Sequence, residues 1–125
     1  MLGKMLLLAL AGGVGTLGRF GLSALVSRWS EEGGFPWHTL AVNIVGCFIF
    51  GLCWAASYDK ISHHAQLAIF VGLLGGFTTF SAFAAESGHL IDSGKWMLAF
   101  GNIAMQNVVG IGLFFMGMLA GKAVV

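Results

Sequence analysis

"GGFTTFSAF", residues 75–83, lies inside an apolar block long enough to cross a membrane. Two adjacent glycines are followed by Thr78, Thr79 and Ser81, interleaved with Phe77, Phe80 and Phe83. Each glycine weakens a helix by about 1 kcal/mol relative to alanine, and the β-branched threonines follow at once. An interruption here would free backbone carbonyls at membrane depth, where only protein or a cavity can satisfy them. The plain alternative is an unbroken helix that uses Gly72 and Gly76 as a close-packing face. Which of the two holds decides what kind of membrane protein this is.

That the block is membranous follows from composition. The chain has 125 residues, 58% hydrophobic and 9% charged, with a mean hydropathy of +0.90. Soluble domains carry roughly a quarter charged residues. A formal charge of +1 offers no basic stripe for phosphates, which excludes nucleic acid as a partner. Cys47 and Cys53 share one apolar segment; on a continuous helix they stand about 9 Å apart, too far for a disulfide. The opening "MLGKMLLLAL" has a signal-peptide flavour, but the apolar run continues through "GGVGTLGRFGLSALV" and reads as a first span.

Polar breaks at "SRWSEEGGFPW", "YDKISHH" and "DSGK" divide the chain into four blocks, about residues 5–27, 38–57, 65–91 and 96–121. Each reaches the roughly 20 residues a helix needs to cross the hydrocarbon. Strand-like alternation is absent, so the fold expected is all-α and integral to the membrane, one domain of four spans running up and down, the third broken near its middle. Lys4, Lys60 and Lys122 flank one side and Arg28 and Lys95 the other. So even a distribution fits either a weakly specified topology or a chain that inserts both ways and pairs with its inverted copy. Four helices fill their own core, so a conduit would have to run between chains.

Polar residues inside spans are costly and are the candidate functional residues. Arg19 shares a helix face with Gly12, Gly15 and Thr16. It either snorkels or pairs with a carboxylate such as Glu86, or it attracts an anion. Thr39, Asn43, Gly46 and Phe50 form one face of the second span, where Asn43 either staples helices or donates to an ion. Thr79, Phe80, Phe83 and Glu86 form a stripe on the third span, with Thr78 and Ser81 on another. Phenylalanine rings have a positive edge that can stabilise a small anion without trapping it. On the fourth span Asn102 and Gln106 lie at i, i+4, as path lining or as staples, and Asn107 points elsewhere. The histidines His38, His63, His64 and His89 show no metal-ligand spacing with carboxylates or thiols, which argues against an enzyme.

With these motifs in order, "GGVGTLGRF", "TLAVNIVG" and "GLLGGFTTFSAF", the chain resembles the CrcB/Fluc family of bacterial fluoride channels over nearly its whole length. The resemblance implies an antiparallel, dual-topology homodimer in the bacterial inner membrane, with two narrow pores. It implies a structural sodium ion held by the backbone carbonyls of Gly75 and Thr78 from both subunits. It implies a fluoride pathway along Asn43, Phe80, Ser81 and Phe83, with Arg19 near the aqueous vestibule. Thr39 and Thr79 are further lining candidates by their helix faces. Asn102 or Gln106 is the candidate stand-in for an aromatic or hydroxyl lining residue that some members carry on the fourth span and this chain lacks. The function implied is passive export of fluoride that relieves its toxicity. One departure from the family's usual pattern stands out: Ala82 occupies a position that commonly carries a hydroxyl. The rival readings are a small proton-coupled multidrug exporter, which wants a membrane-embedded carboxylate, and a non-transporting assembly subunit.

Overall fold

The computed structural model describes residues 1–125, all helices and short connections, with no strand. Helix α1 spans Leu2–Ser27 and α2 spans Trp37–Ser57, continued by one 3₁₀ turn at Tyr58–Lys60. The third span, His63–Asp92, is a composite: α3 (His63–Gln66), a π-helical segment (Leu67–Leu73), α4 (Leu74–Phe77) and α5 (Phe80–Asp92). Helix α6, Trp96–Val124, is the fourth. All four spans are long and apolar enough to cross a membrane. The outer helices run past the apolar blocks, α1 through Lys4 and α6 through Lys122, because a helix continues into the headgroup region where lysine reaches water.

Turn chemistry sets the helix ends. Gly33 has φ +71°, and Pro36, which cannot continue a ladder from its own nitrogen, stands just before α2. At the end of α5, Gly94 has φ +75°, with Gly94 N–H on the Ile91 carbonyl (2.9 Å) and Lys95 N–H on that of Leu90 (2.8 Å). This is a Schellman stop, and it needs a residue that tolerates the left-handed region.

Packing depends on small residues. A Cβ on Gly51 would land on the Phe114 carbonyl oxygen, and one on Gly117 on that of Phe48, so α2 and α6 cross backbone to backbone. On the other side α1 meets the third span in the same way. A Cβ on Gly15 would strike the Leu73 carbonyl, and one on Gly76 would lie 2.6 Å from the Gly12 carbonyl oxygen. Such approaches fit lipid, where helix association rests on contact rather than on water release. Only 18 of 125 residues are buried, and Leu10, Leu17 and Phe20 of α1 are each 72% exposed. The apolar surface faces outward, toward acyl chains.

Gly75 and Gly76 are both helical, within α4. Gly76 serves the close approach to α1, and the residues that leave the helix are the two threonines that follow. Thr78 has φ −85°, ψ 156° and Thr79 φ −147°, ψ 119°, both extended.

Candidate functional site

The site is built around those two threonines. Thr78 N–H makes the last bond of α4, to the Leu74 carbonyl at 3.0 Å. Thr79 starts α5 as its N-cap: its hydroxyl accepts from the Ala82 N–H at 3.2 Å. Between them the ladder is interrupted, and the Asn43 carboxamide of α2 fills the gap. Thr79 N–H donates to Asn43 Oδ1 (2.8 Å), and Asn43 Nδ2 donates to the Thr79 carbonyl (2.9 Å). One planar amide thus satisfies both polar groups of an extended peptide, as a neighbouring strand would.

The second Asn43 N–H donates to Gln106 Oε1 at 3.0 Å. Gln106 Nε2 in turn faces Asn102 Oδ1 at 3.4 Å, and Asn102 Nδ2 donates to Ser87 Oγ at 3.0 Å. A polar seam therefore joins α2, α6 and α5 through apolar surroundings, each carboxamide satisfied by the next. Gly46 lets α2 pass this close, since a Cβ there would collide with Thr78 Cγ2.

Beside the seam lies an open groove of about 460 Å³ between α2, the interruption and α6. Asn43, Gln106, Thr78 and Thr79 contribute its polar wall, and Phe50, Phe80, Phe83 and Phe114 its aromatic one. The Phe80 and Phe83 rings stand 5.3 Å apart at 65°, edge to face. Phe83 is buried, whereas Phe80 is 78% exposed on the flank of the chain. Ring edges opposite amide and hydroxyl groups form a surface suited to a small anion, with no full positive charge to trap it.

The interruption also leaves acceptors. Because Thr79 N–H turns to Asn43 and Ala82 N–H to the Thr79 hydroxyl, the Gly75 and Thr78 carbonyls both lose their usual donors four residues on. No group of three His, Cys, Asp or Glu side chains is placed to hold a metal. The oxygen donors at the interruption are backbone carbonyls, and these suit a hard cation.

Other candidates take different places. Ser81 is exposed, 3.4 Å from the Thr79 hydroxyl. Thr39, a lining candidate by its sequence position, is buried and donates to Glu86 Oε1 at 2.6 Å. Asn102 is fully buried, its amide consumed by Ser87 and Gln106, so it braces the seam and does not line the groove. Asn107, which helical spacing turns away from Asn102 and Gln106, nevertheless reaches the groove wall, its Nδ2 on its own helix at Ile103. Arg19 is half-buried and makes no pair with Glu86, whose partner is His38 Nε2 at 3.0 Å. Cys47 and Cys53 are free thiols. Sequence alone does not single out Ser87 and His38, because their partners lie 15 and 48 residues away.

The family model described as CrcB-like protein, Camphor Resistance (CrcB), matches residues 6–118. The chain belongs to the CrcB family. Three curated relatives are each named fluoride-specific ion channel FluC. That of Solidesulfovibrio magneticus is 39% identical over 99% of this chain and 100% of its own. That of Nitratidesulfovibrio vulgaris is 42% identical over 97% and 98%. That of Salinibacter ruber is 41% identical over 91% and 86%. The stretch matched by the family model takes in the interruption and every residue that lines the groove.

Proposed function

We propose that this multi-pass membrane protein is a passive, fluoride-selective ion channel that lets fluoride leave the cell and so relieves its toxicity. The observation that carries the reading is the full-length similarity to relatives named as fluoride channels. The groove fits it chemically. Fluoride is strongly hydrated, so a narrow path must replace its water with donors and positive edges, each weak enough for the ion to leave. Phe80 and Phe83 offer edges, while the Ser81 and Thr79 hydroxyls and the second N–H of Gln106 offer hydrogen-bonding groups. A larger halide is rejected by size and fixed donor spacing.

The working unit in this proposal is an antiparallel, dual-topology homodimer with two pores. An open lateral groove, an exposed Phe80 and an even flanking charge all support closure by a second, inverted copy. Its third helices, broken at Thr78 and Thr79, meet at the centre. The freed Gly75 and Thr78 carbonyls fit a sodium ion there. Bound, the ion supplies fixed positive charge that holds the two interruptions together. Catalysis has no place in this function.

Fluoride and chloride efflux from liposomes holding the purified protein tests the reading. Rapid fluoride loss without a proton gradient, with chloride retained, is expected; equal loss of both ions contradicts it. Flux of a cationic drug under a proton gradient would instead favour an exporter. The span carboxylate such chemistry needs, Glu86, is already held by Thr39 and His38.

A further inference from the structure

One ion pair exists in this chain, His38 with Glu86, and it lies outside the groove, further along α5 than the two rings. Phe80, Phe83 and Glu86 follow one another at i, i+3 and i+6 on α5, so Glu86 stands about 4.5 Å further along the helix than Phe83. It lines a second cavity, of about 550 Å³, together with Glu31, Glu32, His38 and His89. Glu86 is fixed there. Its Oε1 accepts from the Thr39 hydroxyl at 2.6 Å and faces His38 Nε2 at 3.0 Å. Its Oε2 is buried with no hydrogen-bond partner.

In the channel proposed above, an anion leaving the ring edges along this stretch of α5 would meet a held carboxylate, with Glu31 and Glu32 on the same cavity wall. Compensating charge is scarce. Lys95 Nζ is drawn to the Gly33 carbonyl, and Arg28 is exposed and lines none of this cavity. His89 lines the wall but makes no bond to Glu86. The His38 imidazole is the group in direct contact, so its proton decides whether Glu86 is a bare anion or half of a neutral pair. Imidazole is also the side chain that ordinarily changes charge between about pH 5 and 8.

We infer that His38 is a proton-operated control on anion passage through this vestibule: protonated, it neutralises Glu86 and admits the anion; neutral, it leaves a repelling carboxylate. The inference rests on the channel function proposed above. Its sign is set by charge alone, flux rising as pH falls. The other ionisable groups on this cavity wall are Glu31, Glu32 and His89.

The test is fluoride efflux from liposomes at fixed fluoride gradient from about pH 5.5 to about pH 8.5, with leak through protein-free liposomes subtracted. Wild-type flux is expected to be about fivefold higher at the acid end, the factor given by about 1 kcal/mol from one charge at about 4 Å in water. His38→Gln, which keeps a donor toward Glu86 but no charge, should be flat at the wild-type alkaline level. His38→Lys should be flat at the acid level, and His89→Gln should keep the slope. A wild-type flux indifferent to pH, or a slope surviving in His38→Gln, overturns the control while leaving the channel intact. No fluoride flux at any pH overturns both.

Discussion

Asn43 does for the interrupted third span what a peptide group would have done in an intact one. Its oxygen takes the Thr79 N–H and its nitrogen the Thr79 carbonyl, at 2.8 and 2.9 Å. In hydrocarbon no water stands in for either partner. In the single chain, with both its N–H groups engaged, Asn43 contributes to the site first by fixing the backbone that presents Thr79 and Phe80. Asn43→Ala leaves a half-buried donor and acceptor of Thr79 without their partner and is expected to cost about 2 kcal/mol of stability. Gln106→Leu removes one neighbour and leaves the Thr79 pair in place, so about 1 kcal/mol is expected. Denaturant unfolding in detergent, followed by circular dichroism, measures both. Equal losses would mean that the seam acts as a unit and that Asn43 has no special place in it.

At the scale of the helices, glycine is where backbones touch. Gly51 and Gly117 let α2 and α6 cross, and Gly46 lets α2 pass the interruption. Gly117→Val drives a branched side chain into the Phe48 carbonyl; a loss of about 1–3 kcal/mol and a lower melting temperature in detergent are expected. Gly112, with nothing within 4 Å of an added Cβ, should accept alanine with no such loss. If Gly117→Val melted with Gly112→Ala, the crossing would not be tight. The four spans are legible in the sequence because a run of about 20 apolar residues between charged breaks matches the thickness of the hydrocarbon and little else in protein structure. Gly75 and Gly76 invite a break and are instead helical, because a residue type that weakens helices is also the one that lets helices pack. The extended residues are Thr78 and Thr79, whose hydroxyl and β-branching suit a cap. That Asn43 holds them is not legible, because 36 residues separate the partners. The π-helical segment before α4, with Leu74 N–H reaching back to Ile69, leaves no compositional mark either.

Over the whole molecule little is buried: close-packed glycines and a few apolar side chains such as Val42, Leu74 and Phe70 lie inside, while many large apolar ones, such as Val108, Phe115 and Leu119 of α6, face outward. One feature does not fit a lipid-facing flank: the groove that sets Asn43, Thr79 and Gln106 beside Phe80 and Phe83. Polar groups of that kind are expensive against acyl chains and useful against an ion. By residue type Asn43 is as fit for a helix staple as for an ion donor, and a phenylalanine pair is ordinary packing. The family resemblance is what points to Asn43, Phe80 and Phe83, and the fold brings them together with Gln106. In the proposed channel, the pair of rings is where recognition by edge rather than by charge takes place. The most direct measurement is fluoride efflux from liposomes for wild type, Phe80→Ile and Phe83→Ile, with chloride alongside and each variant eluting like wild type. Isoleucine fills comparable space but has no positive edge, so both variants should lose most fluoride flux, by about tenfold or more for 1.4 kcal/mol of lost stabilisation. Full flux retained in both would contradict passage along the rings.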